Sequence, residues 1–220
     1  ALYALARLAL LRLGEGGLPP ERVLCAARLL DEACLRQCEG QSADVEARTR
    51  PVVGLQRYLD ILASKAGALM GCAAEIGALV PRGRDEKTTS AFRTYGQKLA
   101  VAQHVRQEVA FLWSDTDVPS PQVSDFWTRR KTLPVLYALE KASLQEQRQL
   151  HALYGKRTLD VADVTRLRAL LEQSGARAYA EEAARRLRDE ALDALRGVPL
   201  SDKALADLGT LAAFMMDAVV

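Results

Sequence analysis

The spacing of apolar residues constrains this chain more than any other feature. Along its 220 residues every long segment repeats apolar positions at intervals of three and four. No run alternates over strand length between turn signals. A chain patterned this way buries its apolar stripes by packing helix on helix, so an all-α bundle is expected. Helices are predicted over about 1–13, 20–38, 53–80, 90–113, 159–174, 176–196 and 202–218, with one more opening at Thr132–Pro134. Pro134 falls in the first turn of that helix, where a missing N–H does little harm.

The breakers between these segments are rich in Gly, Pro, Ser and Asp: "GEGGLPP", "PRGRDEKTT" and "SDTDVPSPQVS". "EGQSADVEARTR", after the second helix, reads as a polar stretch. No Gly/Ser linker and no fixed repeat divides the sequence, so residues 1–220 read as a single helical domain. The segment "YLDILASKAGALMGCAAEIGALV" is unusually rich in Ala and Gly, which lets a neighbouring helix approach closely.

Composition narrows the function classes. Apolar residues make up 49% and charged residues 26%, a globular balance able to build a sizeable core. The net charge of +2 is spread along the chain, without the concentrated basic face that nucleic acid requires. The opening "ALYALARLALLRLG" is interrupted by Arg7 and Arg12 and lacks a small-residue cleavage site, so it is neither a span nor a signal peptide. No other segment approaches about 18 uninterrupted apolar residues. The chain begins mid-helix on Ala, and its natural start is expected upstream. Cys25, Cys34, Cys38 and Cys72 lie in helical patterns with only His104 and His151 as potential co-ligands. They read as free buried thiols of a reducing cytoplasm, not as a zinc site.

Four places carry polar groups that a plain helical bundle does not need. In "GQKLAVAQHVRQEVAFLW", Leu99, Ala102, Val105, Val109 and Leu112 form one apolar stripe. His104, Gln107, Glu108 and Phe111 form a second face, either an ordinary helix surface or the remnant of a site. Lys65 sits inside the small-residue helix, where an ammonium must meet an anion or snorkel to water. Glu39, Gln41 and Asp44 follow the second helix and fit a solvated helix end. Arg129, Arg130 and Lys131 precede a helix start, as a solvated face or as an anion site with free N–H groups.

Taken in order, "CEGQSAD", "YLDILASKAGALMGCAAEIGALV", "YGQKLAVAQHVRQEVAFLW" and "SDFWTRRKTLPVLYALEKA" resemble the trans-isoprenyl diphosphate synthases, the polyprenyl synthetase family. The resemblance covers roughly residues 20–145. It implies an isoprenoid-synthase-type helical bundle around a central cavity, with two Asp-rich helices facing each other and holding Mg²⁺ on a diphosphate. Loss of that diphosphate gives an allylic cation, which the double bond of isopentenyl diphosphate attacks. Hard Mg²⁺ needs several oxygen ligands on one helix face.

The same resemblance places Gln41 and Asp44 on the family's "GQ..D" and Lys65 on the Lys of its "KT" pair, with Ala66 in place of Thr. Arg130 falls on the Lys of "GK", with Arg129 for Gly, and Lys131 to Pro134 complete that motif. His104 falls on the Gln of "FQ", which makes it a substrate-binding candidate with Gln41, Asp44, Lys65, Arg130 and Lys131. The second Asp-rich motif is degenerate, since Gln107, Glu108 and Phe111 occupy its acid positions. Glu108 is then the one carboxylate left for Mg²⁺, expected to stand exposed and to hold the ion poorly. The first Asp-rich motif belongs to the family's N-terminal third and is absent from these 220 residues.

The resemblance implies a protein that binds isoprenyl diphosphates, a prenyltransferase or terpene-synthase-like enzyme with altered or reduced metal-dependent activity. A second reading is a non-catalytic subunit that pairs with an active synthase. A third is an unrelated helical interaction protein. A homodimer, or a heterodimer with a related synthase, is expected on the resemblance.

Overall fold

The computed structural model describes residues 1–50, 53–81, 85–113, 131–156 and 159–217, and every regular element among them is helical. In chain order these are α1 (Leu2–Arg12), α2 (Pro20–Thr49), α3 (Leu55–Leu79), α4 (Glu86–Leu112), α5 (Leu133–Lys141), α6 (Leu144–Gly155), α7 (Val161–Gln173), α8 (Ala176–Ala194) and α9 (Asp202–Asp217). The four cysteines are all free.

The axis of the bundle is α4. Its apolar stripe feeds three buried clusters in turn. Leu99 packs with Tyr95, Leu195 and Met215; Val105 packs with Leu62, Leu133 and Ala183; Leu112 packs with Val135, Leu150 and Leu167. Against one side lies α8, whose buried Ala180, Ala183, Ala184 and Ala191 bring it close. Against another lies α3.

The small residues of α3 do what their size allows. A Cβ on Gly71 would lie 3.0 Å from the Arg93 carbonyl oxygen, and one on Gly96 would lie 2.5 Å from that of Met70. Helix α3 is also long and apolar enough, by length and composition, to cross a membrane, although polar residues such as Asp60 and Lys65 interrupt its apolar run. Its packing against α2 and α4 makes it a central helix of the bundle.

Midway, α3 widens into a π turn over Ala63–Gly67. At that turn α2 crosses it so closely that a Cβ on Gly40 would fall 2.5 Å from the Lys65 backbone nitrogen.

Two boundaries differ from expectation. Helix α2 does not stop near Cys38 but runs through "EGQSADVEART" to Thr49. Tertiary burial wins over local polarity there, because Asp44 is enclosed and Gly40 packs on the π turn. Helix α6 fills a stretch for which no helix was expected. Ser143 and Glu146 form a reciprocal capping box at its start. Helix α4 begins at Glu86 instead of near residue 90, with the Asp85 side chain accepting from the Thr88 N–H at 2.7 Å.

Candidate functional site

Three of the sequence candidates converge where α2, α3 and the start of α5 meet. The π turn of α3 presents Lys65 toward α2. Its Nζ donates to Asp44 Oδ2 at 2.9 Å, with Asp44 almost fully buried. Of the two readings open for Lys65, the structure selects the anion. Arg48, one turn further along α2, donates to the same oxygen at 3.2 Å. A small cleft beside this triad is lined by Asp44, Arg48, Tyr58, Lys131 and Leu136.

Lys131 closes the cleft from the α5 side. Its Nζ donates to the Arg50 carbonyl oxygen at the end of α2, and burial pulls its pKa below the ordinary lysine value. A half-buried lysine and an exposed arginine thus share one buried carboxylate, and a third cation, half-buried, stands across the cleft. Lys65 has three N–H donors and Asp44 engages one of them. Gln41 lies exposed one turn ahead of Asp44. Arg129 and Arg130 lie outside the described residues.

The second face of α4 is not a solvated surface. His104, Gln107 and Phe111 are half-buried, and Phe111 packs against the cluster around Leu112, Val135 and Leu150. The carboxylate expected to stand exposed, Glu108, is buried at 8% exposure. Tyr58 Oη donates to its Oε1, the Leu133 backbone N–H donates to its Oε2 at 3.0 Å, and His104 Nε2 lies 3.6 Å from Oε1.

These residues do not fit a Mg²⁺ site on α4. Gln107 is neutral, Phe111 is apolar, and both oxygens of Glu108 already accept hydrogen bonds from the protein. Among the described residues no group of three or more His, Cys, Asp or Glu side chains is placed to hold a metal.

Two participants, Arg48 and Tyr58, escaped the sequence reading. Arg48 is four residues after Asp44, an i,i+4 ion pair readable once the segment is known to be helical. Tyr58 is 50 residues from Glu108, and no local pattern joins them.

The polyprenyl synthetase family model matches residues 1–171. The chain is 34% identical over 161 residues to a geranylgeranyl diphosphate synthase of Mycobacterium tuberculosis, covering 72% of this chain and 45% of that protein. It is 31% identical over 189 residues to a geranylfarnesyl diphosphate synthase of Aeropyrum pernix, covering 86% and 58%. Among solved structures, a polyprenyl synthetase from Streptomyces coelicolor superposes with a TM-score of 0.84 at 30% identity, over 96% of this chain and 63% of that one. A geranylgeranyl pyrophosphate synthetase from Pyrococcus horikoshii gives a TM-score of 0.79 at 28% identity, over 91% and 61%. The chain thus spans about half the length of the curated relatives it matches. With the ordered motifs, the bundle around α4 and the match over residues 1–171 in agreement, this chain belongs to the polyprenyl synthetase family.

Proposed function

We propose that this chain binds isoprenyl diphosphates at the cleft between α2, α3 and the start of α5, and that its metal-dependent prenyl transfer is altered or reduced. The supporting observation is the convergence of Lys65, Arg48 and Lys131 around Asp44. Two half-buried lysines and an exposed arginine suit a multiply charged diphosphate, through charge-assisted hydrogen bonds. Lys65 and Lys131 hold diphosphate oxygens, with Arg130 and Gln41 as further contacts carried by the family resemblance. Asp44 orients Lys65. The relatives named as geranylgeranyl and geranylfarnesyl diphosphate synthases make prenyl chain elongation the reaction to test. When bound, Mg²⁺ would neutralise the leaving diphosphate, and α4 of this chain lacks the carboxylates to hold it.

The second reading, a non-catalytic cytoplasmic subunit pairing with an active synthase, is favoured by one observation: the single acid on the α4 face is already engaged by Tyr58 and Leu133. Unfolding curves with and without pyrophosphate or an isoprenyl diphosphate test the common premise, since a ligand of the native state raises the melting temperature. No shift, with or without Mg²⁺, rejects diphosphate binding. Incorporation of isopentenyl diphosphate then separates the readings: product from the chain alone supports an enzyme. A change in product length only on mixing with an active synthase supports the subunit, in a heterodimer in place of a homodimer.

A further inference from the structure

We infer that Glu108 is a clamp that positions the start of α5, not a metal ligand. Its carboxylate joins three elements. It belongs to α4, it accepts from Tyr58 of α3, and it accepts from the backbone N–H of Leu133, the first residue of α5. The site is enclosed, with Glu108 at 8% exposure and Tyr58 at 3%.

The clamp supplies what the local sequence of α5 does not. A helix start leaves backbone N–H groups without intrahelical partners. Thr132, in the cap position, makes no side-chain cap bond, and its buried Oγ1 has no hydrogen-bond partner. Pro134 has no N–H to satisfy. The Leu133 N–H is met instead by a full carboxylate from another helix, which also suits the positive end of the helix dipole. Turning Glu108 toward a cation would break the bond from Tyr58 and strand the buried Leu133 amide.

The clamp also acts at a distance. Lys131 lies two residues before Leu133 and reaches the carbonyl of Arg50 across the cleft. Fixing Leu133 on α4 fixes where Lys131 enters that cleft. Glu108 is therefore a positioning residue for the basic segment, and the assignment holds whether or not the cleft takes a diphosphate.

Side-chain length and charge separate the two roles. Glu108→Asp keeps the carboxylate that a metal needs but is one methylene too short to reach both Tyr58 and Leu133. Glu108→Gln keeps the reach but carries no charge. The test uses the whole chain, with hydrogen exchange at the Leu133 amide, melting temperature and calorimetric titration of Mg²⁺ alone. The clamp predicts that exchange at Leu133 speeds at least tenfold in Glu108→Asp and less in Glu108→Gln. Melting temperatures should fall in the order wild type, Gln, Asp, while the Mg²⁺ response stays that of the wild type in both. Retained protection at Leu133 in Glu108→Asp, or loss of a wild-type Mg²⁺ response in Glu108→Gln alone, overturns the assignment. Should Glu108→Asp not fold, Tyr58→Phe combined with Glu108→Gln decides. A clamp makes their effects on melting less than additive, and strictly additive effects reject it.

Discussion

Lys65 and Asp44, 21 residues apart in sequence, form a direct ion pair of 2.9 Å between α3 and α2, and Arg48 shares the same carboxylate oxygen. The three groups are unequal. Among the described residues Asp44 has two cationic partners, whereas Lys65 and Arg48 both turn to that one carboxylate. Replacing Asp44 with Ala leaves two cations facing each other beside a buried gap, at a cost of about 3 kcal/mol. Replacing Lys65 with Ala costs less, because Arg48 still serves Asp44. Denaturant unfolding of the two variants checks the order. The ligand response should reverse it: Lys65→Ala loses more of the pyrophosphate-induced rise in melting temperature than its own stability loss suggests.

The glycines of α2 and α3 predict substitutions of opposite sign. Alanine at Gly40 places a Cβ 2.5 Å from the Lys65 backbone nitrogen, where only backbone can move aside. Overpacking of this kind costs about 1–3 kcal/mol, more than the helix propensity that alanine returns. Gly77 lies in the same long helix as Lys65, is exposed, and has nothing within 4 Å of an added Cβ. Gly77→Ala should therefore stabilise by about 1 kcal/mol. Paired melting curves report both signs.

Binding at the cleft should depend on pH through Lys131. Burial depresses its pKa below 10.5, so the folded chain releases that proton at lower pH than the unfolded chain. Charged Lys131 thus weighs against folding at neutral pH, and that penalty fades as pH rises from the depressed value to the unfolded 10.5. A diphosphate at the ammonium favours the charged form. Near the depressed pKa, binding should take up protons, and affinity should fall as pH rises. Titration calorimetry in two buffers of different ionisation heat measures the uptake, and Lys131→Met should abolish it.

Rebuilding acid character on α4 should succeed at one position and fail at another. Gln107 is half-buried and already polar, so Gln107→Asp adds an oxygen ligand at small cost. It should strengthen diphosphate binding in the presence of Mg²⁺ more than in its absence. Phe111 packs on Leu112, Val135 and Leu150, so Phe111→Asp puts a charge against an apolar cluster and should lower the melting temperature. Affinity with and without Mg²⁺, alongside melting curves, distinguishes gain from damage.

Much of this architecture is readable in the sequence because period and residue size act locally. The stripe through Leu99, Val105, Val109 and Leu112 predicts a buried α4. The Ala and Gly content of α3 predicts the close approach seen at Gly71 and Gly96. Lys65 stands out as a charge in apolar surroundings, whereas Asp44, read as part of a solvated helix end, is found buried as its partner. What escaped depends on contacts that no window contains. The run after Cys38 looks like a loop until Asp44 is seen buried. Glu108 looks like an exposed acid until Tyr58 and Leu133 are brought to it. The start of α6 escaped for a different reason, because the Ser143 and Glu146 pair is a local signal that was present to be read.

The π turn at Ala63–Gly67 makes this region sensitive to chain length as well as to side-chain chemistry. Each residue advances an α-helix by about 100°, and a π turn absorbs one residue beyond the ordinary count. Deleting one residue there would let α3 run as an uninterrupted α-helix and swing its first half around its axis relative to its second. Gly67 and Gly71 could then stay seated on α4 only if Tyr58 and Leu62 turned away from it. A one-residue gap in this stretch therefore amounts to a change of phase between the glycine seam and the Tyr58–Glu108 bond. Relatives with a different residue count in this stretch would need another way to bring a donor to that carboxylate.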